Sequence, residues 1–474
     1  MTRRSVRPNL LLMNDLTQGS IPRHIVKMAL PMAFGMLFQT AYLLIDLYFV
    51  AGLGDAALAG VSSAGTLQYI VMAATQVLGV GTVALIAQSS GRRDRDDATL
   101  VLNQSLFLSG IGFIATLVLG FALMGTYLHT MAADAATMEA GRLYLLAFIP
   151  ALALQFAMIT LGSALRGAGV AKPGMMIQIG TVLLNAILAP VLIAGWGTGH
   201  PLGTLGAGLA SAISIFAGVV AGWVYFLSGD RYARLDVSLM APQRAPILRL
   251  LRIGLPSGAE FLLLFVLTGL MYFMIRPFGA AAQAGYGLGA RVMQSIFLPA
   301  MAVAFAASPV AGQNVGAGNG QRVRDTFKAA ALIGSGVMLL ATIVSQTQSD
   351  RMLALFTKEP AVIEIGSAFL HIVAFNFIAQ GLIFTCSGMF QALGNTIPSL
   401  ISGVTRLATF ALPALWLSRQ PGFTMQQVWW LGVITITLQM GLSVWLLRRE
   451  LNKRFPVGAA VRQTATLVPD TAIE

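Results

Sequence analysis

The sequence predicts an all-α polytopic membrane protein with twelve transmembrane helices in two homologous six-helix lobes. Hydrophobic residues make up 56% of the 474 residues, charged residues only 10%, and the mean hydropathy is +0.77. A soluble domain carries about 25% charged residues. A transmembrane helix needs about 20 mostly apolar residues, so the chain has room for about a dozen. An internal repeat with a constant offset indicates the two lobes.

Twelve apolar segments are each long enough to cross a bilayer. None shows the alternating pattern of a membrane barrel strand, so only helices would satisfy their backbone polar groups within lipid. The predicted spans are 24–52, 57–88, 98–127, 139–165, 173–196, 203–228, 247–278, 281–313, 323–347, 361–391, 396–418 and 426–449.

The distribution of basic residues predicts the orientation. Cytoplasmic loops carry an excess of Lys and Arg, and most of the 30 basic residues lie in segments on the side of the N-terminus. Loops on the opposite side contain only Arg142, Arg276, Arg351, Lys358 and Arg419. We therefore expect a multi-pass protein of the inner cell membrane with both termini in the cytoplasm. The net charge of +12 is then a topology signal, and no nucleic-acid partner is expected.

The internal repeat relates positions of the two halves by one constant offset. Pro31 matches Pro256 in this way, and Gln88 matches Gln313. Further matched pairs are Gly54 with Gly279, Gly91 with Gly316, Gln155 with Gln380, and Gly169 with Gly394. Because six helices return the chain to its starting side, the two lobes are predicted to be parallel repeats about an axis along the membrane normal. Alternating-access carriers are often built in this way.

The repeat also predicts the domain boundaries. Residues 1–228 form the N-lobe, 229–246 a cytoplasmic linker rich in Arg, Pro and Asp, 247–449 the C-lobe, and 450–474 a cytoplasmic tail. Within the first span, Pro31 is the predicted hinge, because an internal proline removes a backbone hydrogen bond and clashes with the preceding turn.

The sequence contains no motif of catalysis or of ATP hydrolysis. It has no Walker A loop and no Gly-x-Ser-x-Gly elbow, its four histidines are scattered, and Cys386 is its only cysteine. We therefore expect neither an enzyme, nor a metal site, nor a cofactor. Uphill transport by such a chain would depend on an ion gradient.

Asp46 is the residue expected to bind a coupling cation, because acids within a membrane span are costly and are by default functional candidates. Tyr42 lies one turn before it on the same helix face. Asn185 in the fifth span and Ser211 in the sixth fall at a similar depth. A carboxylate with amide and hydroxyl partners can hold a proton or a small cation. The alternative is a solvated aspartate that faces the external vestibule.

Four polar residues are candidates for a substrate cavity: Gln155, Glu260, Asn376 and Gln380. Glu260 suits two interpretations equally, a cavity acid that attracts cations and a residue that snorkels to the inner interface. For Asn376 and Gln380, one turn apart on the tenth span, hydrogen bonds between helices compete with substrate contact.

Three further ionisable residues within spans are expected to be structural. Arg291 and Arg406 would pair with carbonyl groups or acids and so lock helices together. His371 would be a hydrogen-bonded histidine of the tenth span.

Over nearly its whole length the chain resembles the bacterial branch of the multidrug and toxic compound extrusion (MATE) family. The motifs that carry the resemblance are Pro31 with Asp46, Gln88 with Gly91, Arg166-Gly167-Ala168-Gly169 with Pro173, Gly-Leu-Gly-Ala-Arg-Val at 287–292, Pro309 with Gly312-Gln313-Asn314, and Gln391-Ala392-Leu393-Gly394-Asn395-Thr396.

The resemblance implies a V-shaped monomer that exports amphipathic, often cationic drugs in exchange for protons or sodium. It implies that Asp46 is the main coupling residue, with Tyr42, Asn185 and Ser211 around it. Family members with a sodium site often carry a second Asp where this chain has Ala189, so the resemblance favours protons here. The alternative function is a flippase for lipid-linked oligosaccharide or lipid. Such flippases tend to carry extra helices and a strongly cationic cavity.

Overall fold

The computed structural model describes residues 13–131, 134–228 and 231–456, without the side chains of residues 41–44 and 47. Within these ranges the chain is helical and contains no strand, which confirms the predicted fold class. The α-helices are α1 Ile21–Ala51, α2 Asp55–Gly65, α3 Leu67–Arg92, α4 Arg95–Met131, α5 Ala135–Gly167, α6 Ala171–Ile193, α7 Gly203–Leu227, α8 Arg244–Ile275, α9 Ala280–Gly316, α10 Gly320–Ala354, α11 Pro360–Val373, α12 Phe377–Leu393, α13 Ile397–Leu417 and α14 Met425–Arg454.

The helices correspond to the twelve predicted spans. Eleven segments of the described chain are long and apolar enough to cross a membrane, and the 31-residue α1 is the twelfth. Two predicted spans are interrupted: α2 and α3 meet at Thr66, and α11 is separated from α12 by a 3-10 turn, Ala374–Asn376. The last helix continues to Arg454, so the predicted tail begins as helix, and residues 457–474 lie outside the described chain.

In each lobe one helix packs against most of the others, and the lobes meet through α1 and α3 of the first lobe and α8 and α9 of the second. In the N-lobe, α5 packs against α2, α3, α4 and α7; in the C-lobe, α9 packs against α10, α11 and α12. Between the lobes, α3 packs against α8 and α9, and α1 packs against α9. We call the membrane face that carries the linker the linker side and the opposite face the far side.

Close contact between the lobes extends from the linker side toward the middle of the membrane. Small residues permit this approach, as they do between many membrane helices. A Cβ atom built on Gly254 of α8 would lie 1.9 Å from the carbonyl oxygen of Val77 of α3. Farther toward the far side, the rings of Tyr69 and Phe265 still meet across the interface, with centroids 4.7 Å apart.

The helix α8 begins at Arg244, within the predicted linker 229–246. The part of the linker before it is fixed to the N-lobe by two neighbouring amide side chains of α4. The side chains of Asn103 and Gln104 are both fully buried. Asn103 donates to the carbonyl of Arg234 at 2.8 Å and accepts from the amide of Asp236 at 3.0 Å. Gln104 donates to the carbonyls of Leu239 and Ala241, both at 2.6 Å, and accepts from the amide of Gln243 at 2.9 Å.

Tyr232 adds a further attachment of the linker. Its hydroxyl donates to the carbonyl oxygen of Ser89 at 3.2 Å, and burial raises the pKa of Tyr232 to about 12. The hydroxyl therefore stays protonated over the physiological pH range. Residues 231–243 are thus bound to the N-lobe, and a movement between the lobes would bend the chain near the start of α8.

We expect Gln104→Ala to release the second half of the linker. The substitution removes three hydrogen bonds to the linker backbone, each worth about 1 kcal/mol. Hydrogen–deuterium exchange of a peptide covering 236–243 should become at least tenfold faster. Gln321→Ala is the control, because in the part of the chain that the structure describes that side chain bonds only to Asp325, at 3.1 Å. Unchanged exchange in Gln104→Ala would show that other contacts hold the linker.

Candidate cation site and central cleft

Asp46 lies on α1 near its far-side end, half-buried against α7. The hydroxyl of Ser211 on α7 donates to the Oδ2 atom of Asp46 at 3.4 Å, a long hydrogen bond. The structure thus brings together two of the residues predicted for the cation site. The side chain of Tyr42, predicted to lie one turn away, is outside the described part of the chain.

Asn185 of α6 is fully buried beside this pair of helices. Neither its amide nitrogen nor its oxygen has a hydrogen-bond partner in the described chain. The hydroxyl of Ser214, one turn after Ser211 on α7, is also buried and has no partner among the described residues. Buried polar groups in native proteins are almost always satisfied by protein, water or an ion. These groups therefore indicate a hydrated or ion-binding interior in the N-lobe. Ser214 could have been predicted from its spacing of three residues after Ser211.

Ala189 follows Asn185 by one turn and lies in an apolar environment. It is fully buried in a cluster with Phe148 and Ile193. Among the described residues of the first lobe, Asp46 is therefore the one carboxylate at this depth. Gln155 of α5 is half-buried and makes no hydrogen bond within the described chain, so its assignment to a substrate cavity stays a prediction.

Glu260 points between α12 and α13, inside the C-lobe. Its Oε2 atom accepts hydrogen bonds from Ser399 at 2.8 Å and from Ser387 at 3.3 Å. The two serine hydroxyls are 3.1 Å apart. This geometry argues against the snorkelling interpretation. Neither serine could be predicted from the sequence, because they lie 127 and 139 residues from Glu260 and belong to no motif.

Asn376 forms the end of the turn that interrupts the tenth span. Its side chain is 2% exposed; Nδ2 lies 3.4 Å from the carbonyl of Gly432 on α14, and Oδ1 has no partner in the described chain. The turn is supported by Thr342, which donates to the carbonyl of Ala374 at 3.1 Å. Gln380 is also buried, one turn into α12. The contact of Asn376 with α14 fits the interpretation as a bond between helices.

The remaining ionisable residues of the spans differ from one another. Nδ1 of His371 lies 2.9 Å from the carbonyl oxygen of Ser367 and Nε2 lies 3.1 Å from that of Gln346, so the ring links α11 to α10. The side chain of Arg406, by contrast, makes neither a hydrogen bond nor an ion pair within the described chain. The expectation that Arg406 locks helices by such pairing therefore stays a prediction.

An ion pair closes the linker side between the lobes. Arg249 of α8 forms two hydrogen bonds with Asp97 of α4, at 2.8 and 3.1 Å. Arg92 reaches the same carboxylate at 2.8 Å. Such bidentate pairs fix geometry as well as charge. The contact, the interface along α3 and α8, and the polar N-lobe interior define a two-lobed helical membrane protein whose lobes are held together on the linker side.

Comparison with known proteins gives the family. The sequence profile of the MatE family matches residues 31–191 and 256–417. The two matches begin at Pro31 and Pro256, which are a matched pair of the internal repeat. The chain therefore belongs to the MatE family, and the resemblance seen in the sequence is confirmed.

Two bacterial relatives illustrate the family. The chain is 26% identical over 436 residues to "Probable multidrug resistance protein YpnP" of Bacillus subtilis strain 168. It is 26% identical over 440 residues to "Multidrug export protein MepA" of Staphylococcus aureus strain MRSA252. Each alignment covers 90% of this chain and 93% of the relative.

Solved structures show the same fold. A crystal structure of a MATE protein in complex with MaL6 superposes with a TM-score of 0.87 at 24% identity, covering 93% of this chain and 99% of that one. An outward-facing multidrug resistance MATE transporter of the MOP superfamily gives a TM-score of 0.86, also at 24% identity, with 93% and 98% coverage.

Proposed function

We propose that this protein is a secondary active efflux transporter, which exchanges amphipathic, cationic drugs for protons by alternating access. The relatives named for multidrug export and resistance support drug efflux. The excess of basic residues on the linker side supports a cytoplasmic location for that side and for both termini, in the inner membrane. The cleft closed on the linker side would then open outward.

The observation that carries the proposal is the N-lobe site. Asp46 supplies one negative charge, Ser211 contacts it, and Asn185 holds two buried polar atoms without partners in the described chain. The residue one turn from Asn185 is Ala189, which lies in an apolar cluster. No second carboxylate is therefore present at that position to complete the coordination shell of a sodium ion. A single carboxylate can take up and release a proton without further ligands. This chemistry supports a proton as the coupling ion, and it requires no cofactor.

Alternating access requires a movement about the closed linker side. Pro31 lies inside α1, and its repeat partner Pro256 lies inside α8. Each ring removes one backbone hydrogen bond at a helix that faces the other lobe. We propose Pro31 as the hinge that lets α1 bend when Asp46 changes its protonation state.

Transport by the purified protein in liposomes tests the coupling ion. A pH gradient and a sodium gradient are imposed separately, and uptake of a fluorescent organic cation is followed. We expect the pH gradient to drive uptake and the sodium gradient to have little effect. A requirement for sodium at every pH would refute proton coupling, and no uptake under either gradient would refute drug antiport.

We expect Ala189→Asp to introduce a dependence on sodium. The new carboxylate would lie one turn from Asn185 on the same face of α6, where a cation could be shared with Asp46. Sodium should then stabilise the variant against heat and stimulate its transport. Ala189→Asn is the control, since it has nearly the same size and no charge. Equal responses of the two variants to sodium would contradict a site built around two carboxylates.

A further inference from the structure

The chain before α1 runs along the boundary between the lobes on the linker side, and we call residues 14–19 the N-terminal strap. Its first residue is bonded to the N-lobe. The Nδ2 atom of Asn14 donates to the carbonyl oxygen of Gly169, in the turn between α5 and α6, at 2.9 Å. The Oδ2 atom of Asp15 lies 3.8 Å from a guanidinium nitrogen of Arg93, at the end of α3. The strap is therefore attached to the N-lobe at its start.

The middle of the strap is bonded to the C-lobe through its backbone. The amide of Leu16 donates to the Oε1 atom of Gln313 on α9 at 2.9 Å, in a buried hydrogen bond. The carbonyl oxygen of Leu16 accepts from the Nδ2 atom of Asn314, the next residue of α9, at 3.2 Å. Further along, Arg322 of α10 donates to the carbonyl oxygen of Gly19 at 3.1 Å. Both polar backbone groups of Leu16 are thus satisfied by side chains of the C-lobe.

The side chain of Leu16 is buried where the two lobes meet. It is 2% exposed and belongs to an apolar cluster with Ala306 and Val310 of α9 and Ala171 of α6. On the N-lobe side, a Cβ atom built on Gly169 would lie 3.2 Å from the Cδ1 atom of Leu16. A leucine in this position loses its apolar contacts with one lobe when the lobes separate, so its burial favours the closed arrangement.

The internal repeat gives the strap a counterpart on the other side of the interface. Arg322, which holds the strap, is matched by the constant offset to Asp97 of α4. Asp97 in turn binds Arg249 near the start of α8. Each member of the matched pair therefore holds the chain close to the start of the first helix of the other lobe. The contact of Asp97 joins the lobes, and its counterpart gives the strap the same position in the interface.

We propose that the N-terminal strap is a latch, which stabilises the closed linker side and is released from the C-lobe when that side opens. The strap leads into α1 and is bonded to the N-lobe at Asn14, so we expect it to stay with the N-lobe. Opening then breaks its bonds to α9 and α10 and exposes Leu16. This inference rests on the alternating access of the proposed function, and it gives a step of that cycle to a segment outside the membrane spans.

The rate at which a cysteine in place of Leu16 reacts with a maleimide measures release of the strap. The experiment uses the purified full-length protein with Leu16→Cys and Cys386→Ser, and mass spectrometry follows the modification. Because Leu16 is buried in the closed state, the thiol becomes accessible during release. We expect Arg322→Gln to raise the rate at least tenfold, since the hydrogen bond that it removes is charge-assisted. Arg322→Lys should give a smaller increase, because lysine keeps the charge and loses the planar fork.

Arg324→Gln is the matched control, since Arg324 lies on the same helix two residues further on. Among the described residues, its guanidinium bonds only to residues 451–455 at the end of α14. We expect the labelling rate of Leu16→Cys to stay within a factor of two in this variant. An acceleration equal to that of Arg322→Gln would show a general loosening of the C-lobe and overturn the latch.

Forced separation of the lobes is the second test. A Cβ atom on Gly254 would lie 1.9 Å from a backbone carbonyl oxygen of α3, at a contact that does not involve the strap. Gly254→Ala should therefore lengthen the distance between spin labels at the exposed positions Asp96→Cys and Lys453→Cys. It should also raise the labelling rate of Leu16→Cys at least tenfold. Gly258→Ala is a second, milder variant, because the nearest obstacle to its Cβ atom is a side chain, at 2.5 Å.

The outcomes separate the latch from the proposed function. A longer distance without faster labelling in Gly254→Ala would show that the strap does not respond to opening, and the latch would be overturned. Coupling between two events is reciprocal, so faster labelling in Arg322→Gln at an unchanged distance would overturn it as well. Neither measurement needs a drug or an ion gradient. Absence of drug uptake by the wild type would therefore refute the proposed efflux and leave the latch standing.

Discussion

Asp46→Asn should reduce proton-driven drug uptake to the level of protein-free liposomes. Asparagine has the size and the neutral charge of the protonated aspartate, but it cannot release a proton when the cleft changes sides. The hydroxyl of Ser211 could still bond to it in place of the carboxylate. Folding should therefore survive, and so should binding of an organic cation, which separates a loss of coupling from a loss of structure. Uptake driven by a pH gradient and equilibrium binding are the two measurements.

Glu139→Gln is the matched control for this acid-to-amide change. Glu139 is exposed at the start of α5, and within the described ranges it pairs only with Arg142, with an N–O distance of 2.7 Å. Exposed ion pairs contribute about 0–1 kcal/mol to stability, so this variant should transport like the wild type. Full proton-driven uptake by Asp46→Asn would exclude Asp46 as the coupling residue. Some other group, with Glu260 as the next buried acid, would then have to carry the proton.

The fold could be predicted from the sequence because its signals are local or periodic. Each span is a continuous apolar run, and the constant offset of the repeat relates Pro31 to Pro256 without any knowledge of contacts. Because the prediction uses local and periodic signals alone, it does not find the two breaks within spans, at Thr66 and at Ala374–Asn376. The turn Ala374–Asn376 contains neither glycine nor proline, and averaging hydropathy over a span conceals so short a break.

The environment of the candidate residues could be predicted only in part. The proximity of Asp46 and Ser211 can be predicted from their depths in the membrane. Estimating those depths requires only the helical rise of about 1.5 Å per residue. The serines around Glu260 and the amides that hold the linker depend on contacts between residues far apart in the chain. The sequence predicts a partner for Arg406 because unpaired buried charges are costly, yet its side chain makes neither a hydrogen bond nor an ion pair within the described chain.

The repeat also produces a reciprocal contact that closes the linker side. Gln88 of the N-lobe donates to the carbonyl of Ala392 in the C-lobe at 2.8 Å. Its repeat partner Gln313 reaches back to the carbonyl of Gly167 in the N-lobe at 3.5 Å. Gly167 and Ala392 are themselves matched by the offset of the repeat, so the two bonds are related by the pseudo-two-fold axis.

Gly91→Ala should hold the linker side open and stop transport. A Cβ atom on Gly91 would lie 1.9 Å from the carbonyl oxygen of Gln313, and one on Gly316 would lie 2.0 Å from that of Gln88. A carbon atom cannot approach an oxygen so closely, and both obstacles are backbone, so the lobes must separate. Gly316→Ala should have the same effect because of the repeat.

The measurement is the distance between two spin labels on the linker side. The labels are attached at Arg93→Cys in the N-lobe and Gln321→Cys in the C-lobe. The buried Cys386 is first replaced by serine, so that it cannot be labelled. In Gly91→Ala this distance should lengthen, and drug uptake should fall to background. Gly110→Ala is the control, since a Cβ at that position of α4 meets no atom within 4 Å. An unchanged distance with normal uptake in Gly91→Ala would mean that close packing here is not required for the closed state. A lengthened distance with normal uptake would mean that the cycle does not pass through this closed state.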